Sequence, residues 1–156
     1  MKKICILILS ILLLPKLQAQ EHLQIKTAYD KYAKEKGAVF VQLAKDILSQ
    51  GDTKISFYKS MVIDESQEKS NLLLALIDTD RTEEYDINKS SSKGKITTLI
   101  LQIKSGKVEG NEYILYRNTK EKISLVYIRG HFPPDELDHE LDKLKDLFIY
   151  IKEKKK

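Results

Sequence analysis

The most informative part of the chain is residues 112–130, which read EYILYRNTKEKISLVYIRG. Two runs of aliphatic and tyrosine residues, Tyr113–Tyr116 and Leu125–Ile128, stand on either side of a polar segment. Aliphatic and aromatic residues favour strands, and a short polar connection between two strands favours an antiparallel hairpin. Because both runs are apolar at every position, we expect two central strands that are covered on both faces.

A third strand is predicted over residues 96–104, where Leu99, Leu101 and Ile103 share one face. Residues 105–110 contain two glycines and suit a hairpin connection to the next strand. The serine-rich residues 90–94 before this strand are typical of a loop.

The pattern of residues 55–63 alternates and predicts another strand. Its apolar face is expected to hold Ile55, Phe57, Met61 and Ile63. Lys59 interrupts this face, and we expect its stem to lie along the edge of the core with the ammonium in water.

Residues 38–50 allow two interpretations. The β-branched and aromatic residues 38–43 favour a strand, followed by a short helical piece to about Gln50. A helix over 39–48 stays possible, because Phe40, Leu43 and Ile47 also fit a 3.6-residue period.

Three helices complete the predicted fold. The first spans His22 to Lys36, and the second follows an N-cap at Asp64 and continues past Tyr85 to about Asn88. The last begins at Pro133-Pro134, with acidic residues in its first half and lysines at its end, as the helix dipole favours. One apolar stripe of this helix consists of Leu137, Leu141, Leu144, Phe148 and Ile151.

These elements predict an α+β fold: a mainly antiparallel sheet of about five strands packed by N-terminal, central and C-terminal helices. We expect a single domain over residues 20–156, with a short basic tail from Lys152.

The segments Phe57–Met61, Asn111–Tyr116 and Leu125–Gly130 occur in this order before the acidic start of the last helix. In this respect the chain resembles uncharacterised domain-of-unknown-function families of small exported proteins of Gram-negative bacteria. The resemblance implies export and an α+β fold, and it implies no activity and no site residues.

Residues 1–19 predict a secretory signal peptide. Lys2 and Lys3 precede the apolar run Ile4–Leu14, and Ala19 ends a plausible cleavage site. Cys5, the only cysteine, lies inside the apolar run rather than at its end, so we do not expect a lipoprotein. The expected location is the periplasm or the extracellular space, and a chain cleaved after Ala19 contains no cysteine and no transmembrane span.

Charge and motifs narrow the functional classes. Without the signal peptide, the chain has 24 basic and 23 acidic residues and is nearly neutral, so the pI of 8.9 does not indicate nucleic-acid binding.

The spacing His131-x3-Asp135-x3-His139 is the arrangement closest to a metal site, but His131 precedes two prolines, and we expect no metal. Residues 78–89 lack the glycine and glutamate of a calcium loop. We expect no cofactor, and no serine-hydrolase or phosphate-loop motif occurs.

Tyr113, Tyr116 and Tyr127 lie on neighbouring predicted strands and are the candidate binding residues. They could form a platform for a protein or peptide, or they could be ordinary tyrosines beneath a helix.

The leading hypothesis is a non-enzymatic envelope protein that binds a protein or peptide. The alternative is a small-ligand or lipid carrier with a pocket between the sheet and the helix containing Leu72 to Ile77. A hydrolase that uses carboxylates ranks behind both.

Overall fold

The computed structural model describes residues 22–81 and 86–154, which form a six-stranded antiparallel sheet with helices on both faces. The helices are α1 (Lys26–Tyr32), α2 (Lys45–Leu48), α3 (Gln67–Asp80) and α4 (Leu137–Lys154), the last preceded by a 3-10 turn at Pro134–Glu136. The strands are β1 (Val39–Leu43), β2 (Ile55–Asp64), β3 (Asp86–Ser92), β4 (Lys95–Ile103), β5 (Asn111–Asn118) and β6 (Lys122–Gly130). The order across the sheet is β1-β2-β6-β5-β4-β3. The predicted α+β class is confirmed, with six strands rather than about five.

The hairpin of β5 and β6 forms the centre of the sheet, as its continuous apolar pattern predicts. Consecutive side chains point to opposite faces of a strand, so each of these strands contributes to two cores. Ile114 and Tyr127 are cross-strand partners in the core beneath α1 and α3, whereas Tyr113 and Ile128 are partners in the core beneath α4.

The face that α1 and α3 cover carries the larger core. Leu73 and Ile77 of α3 are fully buried against it, and Asp80 at the end of this helix binds the start of α1. The Asp80 carboxylate accepts hydrogen bonds from the backbone N–H groups of Gln24 (2.6 Å) and Ile25 (2.8 Å). These donors would otherwise be unpaired, because the first turn of a helix has no internal acceptors for them.

The α4 face is organised around Phe132. The Phe132 ring stacks on Tyr113 with centroids 5.1 Å apart, and the Tyr113 hydroxyl donates to the Phe132 carbonyl at 2.6 Å. Gly130 lies directly beneath this ring. A Cβ at position 130 would come within 2.4 Å of Phe132 Cε1 and 2.6 Å of the Lys54 carbonyl oxygen. The close approach of these groups therefore requires glycine at this position.

The prediction of a long central helix followed by a loop is wrong beyond residue 80. Helix α3 ends at Asp80, and Asp86–Ser92 forms β3, which pairs with β4 at the edge of the sheet. Lys93 and Gly94 connect the two strands with φ values of 50° and 76°, as a two-residue hairpin turn requires. Every residue of β3 is exposed, so the strand has no apolar alternation from which it could be predicted.

The prediction that Ile55 shares a face with Phe57 is also wrong. The pairing of β2 with β6 shifts register between these two residues, and the bulge turns Ile55 toward the α4 core. By contrast, the predicted strand over residues 38–43 is confirmed: β1 occupies Val39–Leu43 and is followed by the short α2.

Helix ends differ from the predictions in detail. The first helix is shorter than His22 to Lys36, since α1 spans Lys26–Tyr32. Ser66, and not Asp64, caps α3, because its hydroxyl accepts from the Lys69 N–H at 3.2 Å. Asp64 ends β2 and pairs with Lys122 at 2.5 Å. The predicted signal peptide lies outside the described residues.

We expect Gly130→Ala to lower the free energy of unfolding by about 2–3 kcal/mol, since the new methyl group must displace a packed ring or a backbone carbonyl. Chemical denaturation measures this loss. Gly51→Ala is the matched control, because its Cβ would meet only the Leu147 side chain, at 3.3 Å. An equal effect of both substitutions would contradict the packing account of Gly130.

Candidate functional site

The two edges of the sheet differ in how they are protected from pairing with another strand. In the described part of the chain, β1 pairs with β2 on one side and with no strand on the other. Its sequence, VFVQL, carries no charge, and its pairing with β2 runs without a register shift. Regular apolar edge strands without charge, proline or bulges are sites at which another strand can add.

The opposite edge has the features that oppose such pairing. Strand β3 contains Asp86 and Lys89, and its pairing with β4 shifts register twice, between Asp86 and Asn88 and between Ser90 and Ser91. Charges and bulges on an edge strand disfavour the addition of a further strand. Strand β1 is therefore the edge open to a partner in the described residues.

Aromatic side chains extend the β1 surface on the α1 side. The Phe40 ring, 40% exposed, contacts Tyr29 edge-to-face with centroids 6.2 Å apart. Lys59 Nζ lies 4.6 Å from the Tyr29 ring centroid and 5.7 Å from that of Phe40. Partial burial lowers the pKa of Lys59, and its half-buried side chain lies at the edge of the core. Tyr29 itself is fixed, because its hydroxyl lies 3.2 Å from the carbonyl oxygens of both Lys59 and Leu125.

The apolar surface also continues onto α4 on the other face. Leu43, at the end of β1, packs against the α4 core and is the cross-strand neighbour of Tyr58. The Tyr58 ring meets Phe148 of α4 edge-to-face with centroids 6.0 Å apart, and Phe148 is 36% exposed. We call β1 together with Phe148 the β1 edge surface. It joins an unpaired row of backbone groups to exposed apolar side chains on both faces of the sheet.

The three tyrosines predicted as a binding platform do not form an exposed surface. All three are buried, Tyr113 in the α4 core and Tyr116 and Tyr127 in the core beneath α1 and α3. They therefore lie on different faces of the sheet, and the alternative of tyrosines beneath helices describes their environment. Burial raises the pKa of Tyr113 to about 12 and raises that of Tyr127 further. The Tyr113 hydroxyl donates to the Phe132 carbonyl oxygen, and the Tyr127 hydroxyl donates to Glu112 Oε1.

A buried carboxylate that the sequence analysis did not single out lies among these residues. Glu112 is 1% exposed and accepts hydrogen bonds from the hydroxyls of Tyr127 (2.7 Å) and Ser105 (2.6 Å). His22 Nε2 lies 2.9 Å from Glu112 Oε1, the oxygen that accepts from Tyr127, without forming a hydrogen bond. Glu112 thus links β5 to β6 and to the β4–β5 loop. The alternation of side chains along β5 could have indicated that Glu112 is buried, because Glu112 lies on the same strand face as Ile114 and Tyr116.

A pocket for a small ligand between the sheet and α3 stays a prediction. Leu73, Ile77 and Tyr116 are fully buried in this region, and the Ser70 Oγ and the Tyr116 hydroxyl form a 2.8 Å hydrogen bond there. Two surface cavities lie elsewhere. One, of about 360 Å³, lies between α4 and the turn at Gln50–Asp52, and one of about 340 Å³ lies among loops near Lys95 and Lys120.

The described residues contain no group of three or more histidine, cysteine or acidic side chains placed to hold a metal ion. Part of the calcium-loop segment, residues 82–85, lies outside the described residues. None of the helices in the described ranges is both long enough and apolar enough to cross a membrane.

A family model described as "Family of unknown function (DUF6108)" matches residues 12–141. The chain belongs to this family. The match covers all six strands and the first part of α4, and it begins within the predicted signal peptide. Membership of a domain-of-unknown-function family, which the strand segments predict, is confirmed. The searches of curated proteins and of solved structures gave no match.

We expect Glu112→Gln to lower the free energy of unfolding by about 1–3 kcal/mol, because it weakens the buried hydrogen bonds that Tyr127 and Ser105 donate to this side chain. Thermal and chemical unfolding, followed by circular dichroism, measure the loss. Glu109→Gln is the control, since Glu109 is exposed in the β4–β5 loop. If the two variants were equally stable, Glu112 would not hold the fold together as described.

Proposed function

We propose that this protein is an exported, non-enzymatic protein of the cell envelope, periplasmic or secreted, that binds a protein partner through the β1 edge surface. The observation that carries the proposal is the uncharged and regular β1, which has no strand on its outer side in the described residues. The binding mode is strand addition, in which main-chain hydrogen bonds supply affinity and alternate side chains supply specificity.

Export is supported by the order of basic, apolar and small residues in the first nineteen positions. A chain that starts at Gln20 has no cysteine, so its stability is independent of the redox state outside the cytosol. The packing of the two cores supplies that stability instead.

The proposal of a binding role also rests on how the buried polar groups are used. Glu112 and Asp80 accept hydrogen bonds from groups of the fold itself, and Tyr113 donates to a main-chain carbonyl. In contrast, the β1 edge surface exposes Val39 (58%) and Phe40 (40%) beside backbone groups that face away from β2. Exposed apolar side chains beside an open strand edge are suited to binding rather than to chemistry.

Site-specific photo-crosslinking in the native host tests the proposal. A photoreactive phenylalanine analogue replaces Phe40 in the full chain, and the matched control carries it at Ile87. The two positions are 40% and 39% exposed, on the two opposite edge strands. We expect protein adducts from position 40 and far fewer from position 87, because only the first lies on the open edge.

The adducts are identified by mass spectrometry from the envelope fraction, which also reads the N-terminus of the chain. Equal labelling from both positions, or none from position 40, would contradict binding at β1. A chain that retains Met1 in the cytosol would contradict export. The two parts of the proposal therefore fail by different readouts.

A further inference from the structure

We propose that the partner at the β1 edge surface is β1 of a second copy of this chain, paired antiparallel about a twofold axis through Val41. This inference rests on the proposed function, since it names the partner of the same edge. The result is a sheet that runs without interruption from one copy into the other. Three observations carry it: a symmetric register that pairs every residue of the strand, the lack of charge in the strand, and the different character of β3.

The first observation is that all five residues of β1 pair in one register that is symmetric about Val41. In an antiparallel pair centred on Val41, each residue faces the one at the same distance on the other side of the centre. Val39 then faces Leu43 of the second copy, and Phe40 faces Gln42. This is the register that pairs all five residues of β1, and it places β-branched and aliphatic side chains opposite one another on the α4 face.

The same register also pairs the outward backbone N–H and C=O groups of β1. Along a strand, alternate residues direct their N–H and C=O groups to the same side. Pairing about Val41 joins odd-numbered residues to odd and even-numbered to even. Whichever set faces away from β2 therefore meets the same set of the second copy, and the outward donors and acceptors are paired with each other.

The second observation concerns charge. In a twofold interface, a residue near the axis meets its own image, so a charge there is repelled by an identical one. Residues 38–44 contain no charged side chain. The nearest charges along the chain are Lys36, five residues before Val41, and Lys45, four residues after it, and both lie outside β1. No charge within the strand therefore meets its own image.

The third observation is that the opposite edge excludes this arrangement. The central residue of β3 is Lys89, so a symmetric pair of β3 strands would bring two lysines face to face. Like charges directly opposite each other destabilise a strand pair. Strand β1 can therefore pair with its own image, whereas β3 cannot. Because only one edge of each sheet pairs, the product is a dimer rather than a fibre.

Cysteine crosslinking tests the pairing and its register in the full chain. Cys5→Ser removes the natural cysteine, and Val41→Cys adds one on the proposed axis. Opposed residues of an antiparallel pair lie about 4.5–5.5 Å apart between Cα atoms, which is within the reach of a disulfide. We expect oxidation to give a disulfide-linked dimer, and we expect none from the control Ser90→Cys on β3.

Register is tested by mixing two further variants. Val39→Cys and Leu43→Cys should crosslink when mixed, but neither alone. Position 39 lies four residues from its own image along the pair, an offset of about 13–14 Å at the rise of a strand. Crosslinking of each variant alone at the same rate as the mixture would overturn the proposed register.

The mass in solution completes the test. By light scattering, the protein without engineered cysteines should have twice the chain mass, and Val39→Lys should return it to the mass of one chain. Val39 is 58% exposed, so the substitution leaves the fold of a single copy intact, as circular dichroism would verify. A single-chain mass at every concentration, with no Val41→Cys dimer, would overturn the inference.

The outcomes separate this inference from the proposed function. Photo-adducts of Phe40 with a different envelope protein, together with a monomer in solution, would retain binding at β1 and overturn the second copy as its partner. Adducts at twice the chain mass would support both. The absence of adducts and of a dimer would overturn both.

Discussion

The pairing of strand backbone groups is the constraint on which the rest of this structure depends. A buried N–H or C=O group without a partner costs free energy, so a strand needs a neighbour or water on each side. The central hairpin of β5 and β6 meets this need with strands on both sides and helices on both faces. Every residue of β3 is exposed, so its outer backbone groups are open to solvent. Strand β1 combines an open row of backbone groups with apolar side chains, and this combination favours a protein partner.

Local sequence patterns predicted the elements that present a clear apolar pattern to a core. The strands of the hairpin are apolar at every position and are covered on both faces, whereas β4 and α4 each present a periodic apolar face to a core. The patterns failed where long-range contacts decide the structure. Strand β3 has no apolar face and exists through its pairing with β4, and Ile55 changes face because of a bulge set by its pairing with β6.

For the candidate site too, local sequence patterns predicted the secondary structure but not the position of the strand in the sheet. The residues of β1 were predicted as a strand, but their position at an edge depends on a strand order that no local pattern encodes. The choice between the two interpretations of the tyrosines also depended on distant contacts. Alternation places Tyr113 and Tyr116 on different faces, and only the helices that cover both faces bury them. The acidic side chain of Glu112 concealed its place on an inward strand face, where the hydroxyls of Tyr127 and Ser105 donate hydrogen bonds to it.

Hydrogen exchange of individual backbone amides, measured by NMR at several protein concentrations, tests the central claim most directly. The account predicts that the amides of β1 that face away from β2 become more protected as the concentration rises, because a second copy accepts their hydrogen bonds. The outward amides of β3 should exchange at a constant rate. Rapid exchange of the outward β1 amides at every concentration would contradict the pairing of β1 with a second copy.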